Sequence, residues 1–189
     1  QQLAPFDKVE ACRPYQAIKP LRSSISINNE NRTRSANDPY FKDQWHYQNT
    51  GQTGGKSGAD ISLTEAWNLQ TGNSNVIVAV IDGGIDVSHA DLAANIWKNK
   101  KEVAGNNIDD DNNGYIDDIN GYGFGDNTGT IYPDEHGTHV GGTIAAVTNN
   151  GVGVAGIAGG NNGSGGVRLM SCAGFGQFGI GGFEDAMVY

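Results

Sequence analysis

Asp134 to Val147 reads D-E-H-G-T-H-V-G-G-T-I-A-A-V. Acids come first, then His136, then Val140, Gly141, Thr143, Ile144 and Val147 at helical spacing. The pattern predicts a helix that starts near His136, with Asp134 and Glu135 suited to its electropositive end. At that helix mouth the dipole disfavours a second proton on the imidazole, and a neutral imidazole can act as a general base. Each interior glycine costs a helix about 1 kcal/mol against alanine. Gly137, Gly141 and Gly142 therefore predict tight packing against a neighbour. The second chemical residue is Asp82, which ends N-V-I-V-A-V-I-D and is followed by Gly83 and Gly84. The apolar run from Val76 predicts a strand buried on both faces, as in a parallel sheet. Open α/β sheets place their sites at the C-terminal ends of such strands, where this carboxylate falls.

V-I-D-G-G-I-D-V-S-H-A-D-L and H-G-T-H-V-G-G-T-I-A-A together resemble the aspartate and histidine blocks of the subtilisin-like serine proteases, the subtilases. The resemblance implies an α/β fold of three layers, a parallel sheet between helices, incomplete at the C-terminus. It implies that Asp82 orients the imidazole and that His136 is the general base for a serine, in a peptidase working through an acyl-enzyme. A G-T-S-M-A-x-P block and an oxyanion asparagine would be needed as well. Neither motif occurs, and Ser164 and Ser171 have the wrong surroundings. The parent protein is read as a serine endopeptidase, and this chain alone as inactive.

The resemblance extends to metal. N-D-P-Y-F-K-D-Q-W-H-Y is similar to the start of the mature domain in thermitase-like relatives. By that likeness Asp38 and Asp91, the side chain of Asn150 and the carbonyls of Val147, Val152 and Val154 hold a calcium ion. The ion would clamp the arm, whose apolar anchors are Trp45 and Tyr47, to the domain. Between the two blocks lies N-N-I-D-D-D-N-N-G-Y-I-D-D, with oxygen side chains alternating at Asp109, Asp111 and Asn113. A turn glycine and late carboxylates make it similar to an EF-hand loop, although it closes early and lacks the final glutamate. The expected ligands are Asp109, Asp111, Asn113, the carbonyl of Tyr115 and either Asp117 or Asp118. A further calcium site of the relatives is not expected, because Gly123 and Thr128 stand where acids would be needed beside Asp126.

The elements around these stretches follow from local signals. Ser62–Gln70 is read as a helix capped by Ser62 or Asp60, with Ala66 and Leu69 inward. Val167–Ala173 is read as a buried strand, and Phe183–Tyr189 as the start of a helix. Residues 1–37 form a part of their own, with a strand over Val9–Leu21 and a polar linker after it. By resemblance they are the tail of a pro-region, and residues 38–189 are the N-terminal part of the catalytic domain. Cys12 and Cys172 are read as unpaired thiols.

The chain has 189 residues, 29 of them glycine, and a net charge of −9. That charge argues against a nucleic-acid partner. It divides unevenly, +3 over residues 1–37 and −12 beyond them, and acid concentrated in the folded part suits bound calcium. No apolar run is long enough for a membrane span. The expected partners are a peptide or protein substrate and the chain's own pro-region. Secretion or a cell-envelope site is expected, since weak calcium sites fill where the ion is abundant. Two other readings compete. G-F-G-Q-F-G from Gly174 matches a dinucleotide-binding turn, and a non-catalytic, calcium-stabilised binding module is the other. A zinc site at His136 and His139 lacks the intervening glutamate of H-E-x-x-H. His139 is expected to pack behind the catalytic edge.

Overall fold

The computed structural model describes residues 35–189. The strand read over Val9–Leu21, Cys12 and the pro-region reading up to residue 34 lie outside the described residues. The regular elements are α1 (Leu63–Ala66), β1 (Ile77–Asp82), β2 (Gly121–Gly123), α2 (Glu135–Ala145), β3 (Arg168–Ala173) and α3 (Phe183–Val188). The sheet runs in the order β1-β3-β2, and both pairings are parallel. Ile77 stands opposite Arg168 and Asp82 opposite Ala173, so the strand carrying the carboxylate is in register with β3 to its last residue.

Strand side chains alternate between the two faces of a sheet. Val80 and Leu169 turn to one face and join Ile85, Leu92, Ile96, Ala145, Ala146 and Val167 in the main core. Gly141 of α2 faces this cluster, where an added Cβ would meet Ile85 at 3.4 Å and Leu169 at 3.5 Å. Cys172 and Tyr122 turn to the other face, where they cluster with Phe124 and Ala186 of α3. Helices thus lie on both faces of a parallel sheet, which is the expected α/β layering.

The expectation that β1 is buried on both faces is corrected. Val80 is buried, but Ile77 is 49% and Ile81 36% exposed. β1 is an edge strand, and its second face borders an open space lined by loop residues such as Asn99, Asp111 and Asn113 rather than a covering helix. The apolar run reported strand character and could not report how much of each face is covered.

The helix read over Ser62–Gln70 shrinks to Leu63–Ala66. Ser62 is in the left-handed region at φ 51° and caps nothing with its side chain. Asp60 accepts the Ser62 N–H instead, at 2.8 Å. Past Ala66 the N–H groups of Asn68 and Leu69 turn to carbonyls three residues back, so the helix tightens and stops. The inward side chains are Leu63, Thr64 and Trp67; Ala66 is exposed and Leu69 is 68% exposed, contrary to expectation.

Leu63 and Trp67 pack with Phe41, Tyr47 and Ala155, and this second core seats the arm. Tyr47 is fully buried, and its hydroxyl donates to the Thr143 carbonyl of α2 at 3.0 Å. Burial pushes the Tyr47 phenol up to about 12. Gln44 bonds both the N–H and the carbonyl of Ala155. Trp45, expected as an anchor, is 46% exposed, and Phe41 takes that role.

Candidate active site

Asp82 closes β1, and His136 is the second residue of α2. Their backbones come from separate parts of the chain and meet at the C-terminal edge of the sheet. His136 Nδ1 lies 2.9 and 2.8 Å from the two oxygens of Asp82. A carboxylate only accepts, so Nδ1 carries the proton in this bond. Nε2 makes no hydrogen bond among the described residues. The imidazole is 77% exposed and the carboxylate 16%. A base oriented from behind and open in front can take a proton from a hydroxyl brought to Nε2.

The turn after Asp82 is held from three directions. Asp82 accepts the N–H of Gly83 at 2.7 Å. The Gly84 carbonyl accepts the Asp134 N–H at 3.2 Å. Ile85 N–H donates to Ser171 Oγ of β3 at 3.0 Å, and Asp86 N–H to Thr138 Oγ1 of α2 at 2.9 Å. Gly84 has φ 120°, a conformation that favours glycine, and a side chain there would run into the Tyr132 carbonyl. A side chain at Gly137 would run into the Gly84 carbonyl. This interlock accounts for the first glycine of α2, and neither Ser171 nor Thr138 carried any signal in the sequence.

The electrostatics correct one expectation. The helix dipole was expected to keep His136 from a second proton, but its pKa is raised. The Asp82 hydrogen bond is the largest cause, then the Asp82 charge, with a smaller push from Asp134. Burial pushes the Asp82 carboxyl up, but the His136 hydrogen bond, the Gly83 N–H and the imidazole charge leave it below the ordinary value.

The other histidines sit elsewhere. His139 is exposed rather than packed behind the edge. It lines a cleft of about 650 Å³ with His46 and His89. Neither Asp82 nor His136 lines that cleft. His89 Nδ1 accepts the Asp91 N–H. His46 lies below its ordinary pKa through burial and then the proximity of His139.

Asp38 and Asp91 are both buried, 4% and 1% exposed. Asp38 accepts the N–H groups of Asn149 and Asn150, and Asp91 accepts Asn150 Nδ2 and the Val154 N–H. Burial raises the Asp91 carboxyl, and the charge of Asp38 adds to that rise. No lysine or arginine pairs with either among the described residues. Val147 N–H donates to the Asp91 carbonyl, and Val152 lies on the exposed part of the same loop. Two buried carboxylates held on the same loop without a cationic partner among the described residues suit a hard cation.

In the acidic loop, ligand atoms of Glu102, Asp109 and Asp111 lie within 4.8 Å of one another. Glu102 is buried and was missed by sequence reasoning, because it stands outside the alternating pattern. Its carboxylate also accepts the N–H groups of Asp111 and Asp117. Asp109 accepts from Asn113 and Gly114, and Asp111 from Asn113 and Asn99. The Tyr115 ring packs on Tyr122, Phe124 and Tyr189. Asp117 and Asp118 part company. Asp117 turns to the N–H groups of Gly105, Asn106 and Asn107. Asp118 is fully buried and accepts from Asn99, Asn113 and the Tyr189 hydroxyl. Asn99 and Asn113 each bond both Asp118 and Asp111 or its neighbourhood, so Asp118 belongs to the same network.

The glycine-rich turn at Gly174 holds an anion of its own. Asp126 accepts the N–H groups of Gln177 and Phe178 at 2.6 and 2.8 Å. A dinucleotide needs free N–H groups on such a turn for its pyrophosphate, and this carboxylate takes them. Cys172 is a buried free thiol.

The model of the subtilase family, Peptidase S8, matches residues 73–170, a span that holds both Asp82 and His136. The chain is 34% identical over 187 residues to subtilisin-like protease 1 of Plasmodium vivax, covering 96% of this chain and 27% of that one. It is 43% identical over 126 residues to subtilisin-like protease 1 of Plasmodium berghei, covering 64% of this chain and 19% of that one. Among solved structures, a protease of Pseudoalteromonas arctica is 37% identical with a TM-score of 0.45, covering 74% of this chain and 40% of that one. The chain therefore spans about a quarter or less of the length of these two curated relatives.

Proposed function

The chain belongs to the subtilase family, and we propose on that ground that it is the aspartate- and histidine-bearing part of a serine endopeptidase. The observation that supports this reading best is the bond from His136 Nδ1 to Asp82, at 2.8 Å, with Nε2 open to solvent. In such a pair the carboxylate fixes the tautomer and steadies the imidazolium, while Nε2 removes the proton of an attacking serine. The serine and the oxyanion asparagine are supplied by a longer protein. The far greater length of the relatives supports that placement. Alone, the 189 residues are inactive, because the nucleophile and the oxyanion donors carry most of the chemistry. The substrate is a peptide or protein. The longer protein carries its own pro-region, of which residues 1–37 are the tail, and acts outside the cytoplasm or in the cell envelope. No helix among the described residues is long and apolar enough to cross a membrane.

Two calcium sites accompany the pair. Asp38, Asp91 and Asn150, with the carbonyls of Val147, Val152 and Val154, hold one ion. Asp109, Asp111, Asn113, the Tyr115 carbonyl and Asp118 hold the other, with Glu102 joining them. The ions supply positive charge that lets clustered carboxylates stay ionised. The residues around the first tie the arm to the end of α2.

The test uses a serine-directed phosphonate probe. The 189-residue chain should neither take the label nor cleave a peptide library. The same chain extended through its downstream reading frame to a G-T-S-M-A block should do both, and His136→Ala should abolish both. Labelling of the 189-residue chain itself, or an extended His136→Ala protein that still cleaves, would overturn the reading.

A further inference from the structure

Asp134 is the residue before α2, and by position it is an ordinary N-cap. Its carboxylate accepts the Gly137 N–H at 3.0 Å, which satisfies one of the helix's free donors. Three further observations make it more than that. Its own N–H donates to the Gly84 carbonyl, two residues past Asp82. Its side chain lies directly on Gly83, where an added Cβ would sit 2.5 Å from the Asp134 Cγ. Its carboxylate, that of Asp82 and the His136 ring nitrogen all lie within 4.8 Å of one another. One residue therefore touches the turn that follows Asp82, caps the helix that carries His136, and faces the imidazole.

We propose that Asp134 is a positioning residue for the Asp82–His136 pair, setting the gap between the end of β1 and the start of α2 through its contacts with Gly83, Gly84 and Gly137. The inference rests on the pairing of Asp82 with His136 described above. The pair spans two elements, and its bond length depends on how closely they approach. Helix and turn also meet through Gly137 against the Gly84 backbone and through the Thr138 hydroxyl, which accepts the Asp86 N–H. The Asp134 side chain both bonds α2 at the Gly137 N–H and packs on Gly83, the residue next to Asp82. It adds charge as well as geometry. The charged groups facing His136 are Asp82 from β1 and Asp134 from the helix entry, and both favour the imidazolium. The adjoining Glu135 is exposed and also acidic.

The two contributions separate by substitution. Asparagine caps a helix as well as aspartate does, so Asp134→Asn keeps the geometry and removes the charge. Asp134→Ala removes both. Gly83→Ala leaves Asp134 in place chemically and pushes its side chain off the turn. The readout is the tautomer and pKa of His136 in the 189-residue chain, from the nitrogen shifts of its imidazole across a pH titration. The unaltered chain should show the neutral ring protonated at Nδ1. Asp134→Asn should keep that tautomer with a lower pKa. Asp134→Ala should lose the tautomer preference and lower the pKa further, and Gly83→Ala should reproduce it. The double variant should be no worse than either single one, because both act through one contact. An Asp134→Ala chain with unaltered tautomer and pKa, even if it melts earlier, would reduce Asp134 to a cap and overturn the proposal. If Asp134→Ala does not fold, Gly83→Ala and Asp134→Asn decide on the same criteria. Asp82→Asn separates this from a failure of the pair: if it leaves the tautomer unchanged, Asp82 does not hold the ring at all.

Discussion

Asp82 and His136 shift one another in opposite directions, and the signs define a pH window. The His136 pKa is raised from 6.5, so the pair's contribution is full below that value and is lost as pH rises through the folded pKa. The Asp82 pKa is lowered from 3.8, so the contribution is present above that value and is lost as pH falls through the folded pKa. The difference in melting temperature between the unaltered chain and Asp82→Asn should therefore be largest between about pH 4 and 6.5, and should shrink on both sides. A difference that grows steadily into alkali would contradict the pairing. At the same scale, burial pushes the Cys172 thiol up to about 11. Alkylation followed by peptide mapping should find Cys172 unreactive in the folded chain at neutral pH and reactive once urea unfolds it. Sequence reasoning named both members of the pair from their blocks. It set the helix dipole against a second proton on His136 and left out the Asp82 carboxylate, the larger influence, which only tertiary contact brings to the ring.

At the scale of elements, the glycines of α2 behave differently although they read alike. A Cβ at Gly137 would meet the backbone of Gly84, which cannot swing aside. Gly137→Ala should lower stability by about 2 kcal/mol, as overpacked sites do, in a urea unfolding series. A Cβ at Gly142 meets nothing within 4 Å, because that residue borders the cleft shared with His139. Gly142→Ala should therefore recover helix propensity and raise stability by up to about 1 kcal/mol. Equal effects at the two positions would mean that the contact between α2 and the turn after Asp82 is not as close as described. Helix α2 itself was legible from apolar spacing and an acidic start. Helix α1 was overdrawn, because Asp60 and the tightening after Ala66 are decided by hydrogen bonds that no periodicity records.

For the whole molecule, acid without counter-charge is the main feature. Beyond residue 37 the net charge is −12. Ion pairing among the described residues is confined to Lys101 with Asp111 and His136 with Asp82. Calcium should raise the melting temperature and a chelator should lower it, since a ligand that binds only the folded state stabilises by mass action. Asp91→Asn should reduce that response by removing one buried carboxylate of the pair, and Glu102→Gln should reduce it at the acidic loop. The same melting point with calcium and with chelator would remove the metal reading and leave the catalytic pair untouched.

Chemical identity and order along the chain were enough to name Asp82, His136, the oxygen-rich stretches and a parallel α/β sheet, because each depends on residue type and on short-range period. Coverage of β1, the different partners of Asp117 and Asp118, the approach of Glu102 to Asp109 and Asp111 and the contacts of Asp134 and Ser171 depended on which backbones approach one another. Those approaches are set by packing between segments far apart in the chain, such as Gly137 on Gly84 and Ser171 beneath Ile85. A string of residues carries no record of such distances until the sheet and its helices have closed on each other.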